Sequence, residues 1–569
     1  MRNINVQNAT GIDLRDITLT GDLTVNALGN ISNNGVITAG GTSRITGNVV
    51  TLNNVSNNFN NVALNGTSVS IVDLDSINFS GSSSASNNLT VTAFGGDITD
   101  SAAAVITVTN DATLSASGNV ILDSGNHNFG TVYVNSGGNV TVSDLTGINL
   151  GTTSVAGNLS ILAGRNAAVA DIINTSGVIT VGGTASFISS GGSNVTLNNA
   201  ANQMAGAISA TATGGALNNV VIVNNTITQF DQVNAANDLT VTSSGEITDI
   251  DAAAVIVGNQ TTLVANGNNV ILDGNNDFNS FNATSVNNVT LNDVTGLTLP
   301  SLNTTGVITT TSNGLSVGAI NASAINLDAG NGAIADLNAD ATNNLVANTV
   351  RLRAATGIGS ANAIETVTAN LDVINNTSGA VGIFNTGSVT LTNLVNRGDI
   401  AFSNVGNVEL VNVKALDLRT APTPSSGSLL LEVTNGSVTG IERGSPELNL
   451  SVLDIEAYSA IIAVSDEFGT EDRPIIMYIR TGLLLDAAFS SIGFPIAEPE
   501  PFTNRSAIQS NAFDAISAVS GLKLVEVESA AEIDQAIFTA VRNYNYDDIS
   551  IRMPSDQLYE DEEEDKKQN

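Results

Sequence analysis

The chain has 569 residues and a formal net charge of −35 at pH 7, with only 12% charged and 4% aromatic residues and no cysteine. The excess of carboxylates argues against nucleic acid as a partner, because Lys and Arg must neutralise phosphates. The lack of cysteine excludes disulfides, thiolate catalysis and Cys-ligated metals.

The sequence also carries information about membranes and secretion. No apolar run reaches the roughly 18 residues that a membrane-spanning helix needs, so we expect no transmembrane segment. The first residues, MRNINVQNATGID, lack the basic stretch and apolar core of a signal peptide. We therefore expect the C-terminal fragment of a longer protein, with a cytosolic protein as the alternative.

Short segments that alternate apolar and polar residues recur along the chain. NVTV starts at Asn139, NLSI at Asn158, GVIT at Gly177 and NVTL at Asn194, so that the phrase returns at nearly even intervals. Alternation with period two predicts short strands with one buried face. A second short strand is predicted within each unit, where Ile148 alternates with polar neighbours.

A longer period lies over the short one. The segment LTVTAFGGDITDSAAAVI (Leu89 to Ile106) is echoed further along the chain by LTVTSSGEITDIDAAAVI (Leu239 to Ile256). Such duplication of whole blocks is typical of proteins built from stacked repeats, in which each repeat contacts its neighbours.

These observations predict an all-β fold, a parallel β-helix with about 19–20 residues per coil. Propeller blades and antiparallel sandwiches are disfavoured, because both rely on aromatic residues and this chain has no Trp. Coils stacked about 4.8 Å apart would place aliphatic side chains in the interior and Asn side chains in hydrogen-bonded ladders at the corners. Stacked like charges would repel, which explains why the first lysine is Lys414.

The pattern changes toward the C-terminus, where eight of the nine prolines follow residue 420. Ser529 and Glu532 form a possible capping box, and apolar residues then follow at helical spacing. The predicted organisation is a β-helix over residues 1–490, a Pro-rich linker or cap over 491–505, a small α+β element with helices over 506–552, and an acidic disordered tail over 553–569.

The repeats resemble a known family. The segments GNLSILAG, GVITVGGTASF, NVTLNNAANQM and ATGIGSANAIETVTANLDVINNTSG are similar to repeats of filamentous haemagglutinin-type exoproteins, the passengers of bacterial two-partner secretion. The similarity covers roughly residues 9–485. It implies a right-handed β-helix, export through an outer-membrane pore partner, and an adhesin at the bacterial surface or released from it. The family's N-terminal secretion domain is absent from this sequence.

Few residues suggest chemistry. Carbohydrate-active β-helices cluster acids and a base in one groove, whereas here the acids are scattered, with pairs at Asp73 and Asp75 and at Asp249 and Asp251. We interpret these four as turn carboxylates.

Three further features of the sequence are candidate sites. Arg351 and Arg353 form the only close basic pair in the repeats, and His127 is the only histidine. One histidine cannot supply a zinc site, and a polar residue in a turn is the better interpretation. GGDITD at Gly95 matches a calcium-binding repeat only in part. The sequence therefore nominates no catalytic, cofactor-binding or metal-binding residue.

The sequence favours a non-catalytic adhesin or exoprotein stalk that is secreted or displayed on a bacterial surface. Its expected partners are host or neighbouring cell surfaces, glycans among them, and the secretion pore. The alternative is a polysaccharide-degrading β-helix enzyme, a lyase or a hydrolase. A toxin passenger with an active C-terminal domain is a third reading, weakened because no nucleophile–base pair lies in residues 500–569.

Overall fold

The computed structural model describes residues 1–165, 169–174, 176–338, 342–415, 427–442, 453–470, 472–489 and 492–493. Within these residues every regular element is a β-strand, so the predicted all-β class is confirmed. The α+β element predicted over 506–552, the acidic tail over 553–569 and the linker over 491–505, apart from residues 492–493, lie outside the described residues.

The chain divides into two compact units, Met1–Asn292 and Asp293–Asn569. The strands up to Asp293 are β1 (Ile4–Asn8), β2 (Ile12–Leu14), β3 (Ile17–Leu19), β4 (Leu23–Ala27), β5 (Ile31–Asn33), β6 (Ile37–Thr46), β7 (Val49–Leu52), β8 (Asn58–Gly66), β9 (Ser68–Asp73), β10 (Ile77–Phe79), β11 (Ser82–Ala85), β12 (Leu89–Ala93), β13 (Ile98–Asp100), β14 (Val105–Ala116), β15 (Val120–Leu122), β16 (Asn128–Ser136), β17 (Val140–Ser143), β18 (Ile148–Val155), β19 (Leu159–Leu162), β20 (Ile172–Asn174), β21 (Ile179–Val181), β22 (Ala185–Ser190), β23 (Val195–Leu197), β24 (Gln203–Met204), β25 (Ile208–Thr213), β26 (Val220–Asn224), β27 (Thr228–Ala235), β28 (Leu239–Ser243), β29 (Ile247–Val264), β30 (Val270–Thr284) and β31 (Val289–Asp293).

The later strands are generally short as well, with two long ones near the end. They are β32 (Leu297–Asn303), β33 (Val307–Thr311), β34 (Leu315–Asn321), β35 (Ala324–Asp328), β36 (Ile334–Asp336), β37 (Leu345–Val346), β38 (Thr349–Ala354), β39 (Ile364–Val367), β40 (Asn370–Asn375), β41 (Val381–Thr386), β42 (Val389–Asn396), β43 (Ile400–Val405), β44 (Val408–Leu410), β45 (Val413–Lys414), β46 (Ser428–Thr434), β47 (Val438–Thr439), β48 (Ile455–Phe468), β49 (Ile475–Phe489) and β50 (Ile492–Gly493).

The described residues of each unit form a parallel β-solenoid, in which a strand pairs with the strand one coil further along the chain. In the first unit, β17 pairs with β15 on one side and β19 on the other, both in parallel. In the second unit, β40 pairs in the same way with β38 and β42. The predicted parallel β-helix is therefore confirmed in both units.

Coil length varies more than the even rhythm of the sequence predicted. In the first unit, Asn3 bonds to the next coil 19 residues further along the chain, whereas Asn158 bonds to the next coil 26 residues further along. In the second unit, Ser428 lies beside Ser459 of the next coil, 31 residues on. Only strand residues must stay in register from coil to coil, so the number of residues between paired strands can vary.

One assignment of repeat phrases to coils was wrong. The even return of the phrases predicts that NLSI and GVIT are equivalent segments of successive coils, but Leu159 of NLSI pairs with Ala185. Ile179 of GVIT instead pairs with Thr153, which belongs to β18 on a different side of the coil. Similar phrases occur on more than one side of a coil because every side needs the same alternation.

Alternation along each strand builds a dry interior. The successive partners at one inward position of the first unit are all buried and aliphatic: Val120, Val140, Leu159, Ala185 and Ile208. The next residues along the same strands point outward, and after Ile121 they are hydroxylic: Thr141, Ser160, Ser186 and Ser209. Each large buried aliphatic side chain stabilises the stack by roughly 1.5–3 kcal/mol before conformational entropy is subtracted.

Asparagine ladders occupy the corners, in two forms. On the surface, Asn139 Oδ1 accepts the backbone N–H of Asn158 at 2.9 Å, and Asn119 Oδ1 accepts that of Asn139 at 2.8 Å. In the interior, the side chains bond directly, as Asn202 Nδ2 does to Asn174 Oδ1 at 3.0 Å. The predicted ladder of side-chain bonds is also found on the surface, between exposed asparagines of adjacent coils.

Candidate functional site

The only histidine lies at a buried turn between β15 and β16. We call this turn, with its partners Asp100 and Ile106, the His127 corner. The His127 ring is fully buried; its Nδ1 accepts the backbone N–H of Ile106 at 2.9 Å, and its Nε2 lies 2.8 Å from Asp100 Oδ2. Because Nδ1 is the acceptor, the proton must reside on Nε2, which donates to the carboxylate. Asp100 also accepts the backbone N–H groups of Asp123 and Ser124.

The same arrangement recurs in the second of the duplicated blocks, with an asparagine in place of the histidine. In this Asn276 corner, Asn276 Oδ1 accepts the Val255 backbone N–H at 2.9 Å, and its Nδ2 donates to Asp249 Oδ2 at 2.8 Å. Asp249 also accepts backbone N–H groups, from Asp273 and Gly274. The Asn276 amide therefore supplies the same acceptor and the same donor as the His127 imidazole.

Two further corners complete the series. Asn57 Oδ1 accepts the Ile37 backbone N–H at 3.0 Å, and Asn202 Oδ1 accepts that of Ile179 at 2.9 Å. In all four corners the polar residue precedes a large apolar residue by two positions, in the segments NNF, HNF, NQM and NDF. This recurring signal was present in the sequence and was missed there. Three of the four positions use asparagine, which argues that the corner requires a donor and an acceptor rather than imidazole chemistry.

Buried carboxylates accept the backbone N–H groups of the large apolar residues that follow two of these corners. Asp73 Oδ2 accepts the Phe59 backbone N–H at 2.7 Å, and Asp144 Oδ2 accepts that of Phe129 at 2.7 Å. Burial raises the pKa of Asp73 from 3.8 to about 7, although backbone N–H bonds from Phe59 and Asp75 oppose the rise. Burial likewise raises the pKa of Asp144. Because these carboxylates are buried and hydrogen-bonded to the backbone, they are not free to act on a substrate.

The acids proposed as turn carboxylates have different surroundings. Asp73 and Asp249 are buried corner acceptors and not isolated turn residues, and burial also raises the pKa of Asp249. Asp75 accepts the side-chain amide of Asn58 at 2.8 Å. The side chain of Asp251 lies outside the described residues.

The partial calcium motif at Gly95 is also used by the fold. Its Asp97 accepts the backbone N–H of Asn119 at 2.6 Å, and its Asp100 belongs to the His127 corner. A Cβ atom on Gly95 would lie 2.7 Å from the carbonyl oxygen of Leu74, so the close approach of two coils requires glycine there. In the described part of the chain, no group of three or more His, Asp or Glu side chains is placed to hold a metal ion.

The basic pair lies on an outward face of the second unit and shares one acid. Arg353 is mostly buried, and its guanidinium donates to the Asp372 carbonyl at 2.9 Å and to its carboxylate. Arg351 is 55% exposed, and its Nε lies 3.6 Å from the same carboxylate. Both arginines contact the carboxylate of Asp372 on the adjacent coil, so their proximity does not require a bound ligand.

The second unit also has an open groove of about 460 Å³. It crosses the ends of strands β34, β37, β39 and β41, and no charged residue lines it. Its lining residues are Asn321, Ala322, Val346, Ala347, Asn348, Val367, Thr368, Ala369, Thr386, Gly387 and Ser388. The groove offers amides, hydroxyls and small apolar surfaces, but no acid or base for hydrolysis or elimination.

Comparison with known proteins adds one result. Four segments match a family described as repeats of unknown function (DUF5649), at residues 1–65, 66–135, 137–211 and 217–285. They cover just under half of the chain and all lie in the first unit. Two consecutive matches make up each of the duplicated blocks, and each match contains one of the four polar corners. No curated protein and no solved structure matches the chain.

No helix among the described residues is long and apolar enough to cross a membrane.

Proposed function

We propose that this protein is a non-catalytic adhesin or exoprotein stalk, displayed on or secreted from a bacterial cell. The proposal rests above all on the use of the residues that would carry chemistry. His127 and its neighbouring acids are buried and bonded to the backbone, in a corner that Asn276 reproduces without a titratable ring.

The outer surface supports a binding role. Hydroxyl and amide side chains repeat from coil to coil, as at Thr141, Ser160 and Ser186. A repeating surface can make many weak contacts at once, and their combined affinity exceeds that of any single contact. Cell-surface glycans and extended surface proteins are the partners that suit such a surface.

The secretion route is part of the same proposal. The absence of cysteine suits export of an unfolded chain, because no disulfide can form early. Resemblance to haemagglutinin-type repeats motivates the two-partner route. A neighbouring gene for an outer-membrane pore would support that route, and its consistent absence beside this gene would count against it.

Two assays on the purified full-length chain test the function. Adhesion to epithelial cells, bacterial cells and immobilised glycans should be saturable and competed by excess free protein. Incubation with pectin, alginate and hyaluronan should release neither reducing ends nor unsaturated products. Turnover of any of these polysaccharides would overturn the proposal in favour of the enzyme. Failure to adhere to any of the tested surfaces would refute the adhesin function.

A further inference from the structure

The groove of the second unit runs along the stacking direction across four successive coils. Ala322, Ala347 and Ala369 lie at its floor or edge with the partly exposed side chains of Val346 and Val367. With coils about 4.8 Å apart, four coils span about 14 Å. The small side chains leave a depression where larger residues would fill the corner.

The rim carries polar groups that the protein itself leaves unused. The side chains of Asn321, Asn348, Thr386 and Ser388 line the groove, are exposed, and make no hydrogen bond within the described part of the chain. The side chain of Asn202, by contrast, forms hydrogen bonds to other coils. The groove therefore presents both donors and acceptors to a ligand.

We infer that this groove binds a short segment of an uncharged glycan. The inference rests on the proposed adhesin function and assigns a ligand class to one place on its surface. Amides and hydroxyls pair with sugar hydroxyls, while alanine and valine surfaces suit the apolar faces of pyranose rings. The groove has no charged residue that would select a sulfated or carboxylated sugar.

Other classes of ligand fit less well. A peptide strand needs free backbone groups for β-augmentation, but the backbone here is already paired between coils. Ala322 N–H donates to the Val346 carbonyl at 3.1 Å, and Ala347 N–H donates to that of Val367 at 3.1 Å. Nucleic acid is disfavoured because no Lys or Arg lines the groove.

Binding of neutral hexasaccharides of β-glucan, α-mannan and chitin to the full chain tests this inference. Saturation-transfer NMR suits the weak affinity expected in a groove without aromatic residues. We expect Asn348→Ala and Ala347→Phe to reduce binding of the best hexasaccharide at least tenfold. Asn376→Ala is the matched control, because Asn376 is an exposed asparagine that does not line the groove, and it should leave binding unchanged.

The outcomes separate the two proposals. Circular dichroism of each variant first establishes that the solenoid is intact. If Ala347→Phe fails to fold, Asn348→Ala still tests the groove, because it alters only an exposed side chain. Binding that is lost in the groove variants supports the inference. Binding that is unaffected by them, or absent while cell adhesion persists, overturns the inference and leaves the adhesin function standing. Absence of cell adhesion would instead refute the proposed function.

Discussion

The His127 corner and the Asn276 corner occupy equivalent places in duplicated blocks and differ in the central residue. Both groups accept one backbone N–H from the preceding coil and donate to one buried carboxylate. Imidazole and amide share little chemistry beyond a donor and an acceptor at suitable separation. This position therefore requires a donor and an acceptor for the hydrogen bonds inside a dry stack, and a lone histidine there is not evidence of catalysis.

The largest expected effect comes from removing both hydrogen-bonding groups of the first corner. His127→Ala leaves the Ile106 N–H without its acceptor and removes one of the donors to the Asp100 carboxylate, which should lower local stability by about 2–4 kcal/mol. Hydrogen exchange followed by mass spectrometry measures this locally, which is appropriate because a repeat protein need not unfold in one step. Unchanged protection of residues 100–130 would show that the corner contributes little.

The second prediction concerns pH in the first unit. Asp73, Asp144 and Asp249 have pKa values raised by burial, that of Asp73 from 3.8 to about 7. A folded-state pKa above the unfolded value means that the folded chain binds more protons between the two values. Stability of the coils around Asp73 should therefore be greatest below about pH 4, fall as pH rises toward 7, and level off above it. The raised pKa values of Asp144 and Asp249 predict a fall with rising pH in their coils as well.

Hydrogen exchange at fixed temperature, corrected for the intrinsic pH dependence of exchange, provides the measurement. Asp73→Asn removes the titrating group and should flatten the profile around Phe59, at the expense of one accepted backbone bond. Stability that rises through this pH window would contradict the prediction.

A smaller effect is expected when one corner is converted into the other. His127→Asn retains one acceptor and one donor, as the natural Asn276 does, and should lower stability by less than about 1 kcal/mol. The same local exchange measurement, run beside His127→Ala, sharpens the comparison. If both substitutions are equally damaging, the ring itself and not its hydrogen bonds supports the corner.

The smallest effect is expected at the surface ladder. Asn139→Ala removes an exposed acceptor for the Asn158 N–H, and water can replace it, so the loss should be about 0.5 kcal/mol. Asn139→Asp keeps the acceptor and serves as the control. A loss as large as that of His127→Ala would mean that surface and buried corners contribute equally, contrary to the comparison.

Much of the fold could be predicted because its signals are local. Alternation with period two, the regular return of the same phrase and the scarcity of charge each follow from a stack of short parallel strands. The pairing of particular phrases was less predictable, as Leu159 and Ile179 illustrate, because the number of residues between paired strands varies and changes which segment comes next in register.

The candidate site was less predictable than the fold. The scatter of the acids is visible in the sequence, but the burial of Asp73 and Asp249 is not. Their partners lie 14 and 27 residues away, respectively, and in sequence neither separation distinguishes an interior turn from a surface turn.

The strand elements, their parallel stacking and the aliphatic interior can be read from the sequence, since they follow from side-chain periodicity and from the repulsion of stacked charges. The folded chain is needed to see that His127 supplies the same donor and acceptor as asparagine, and that an uncharged groove crosses four coils of the second unit. Both depend on residues brought together from different coils, whose register is set by the lengths of the turns between them.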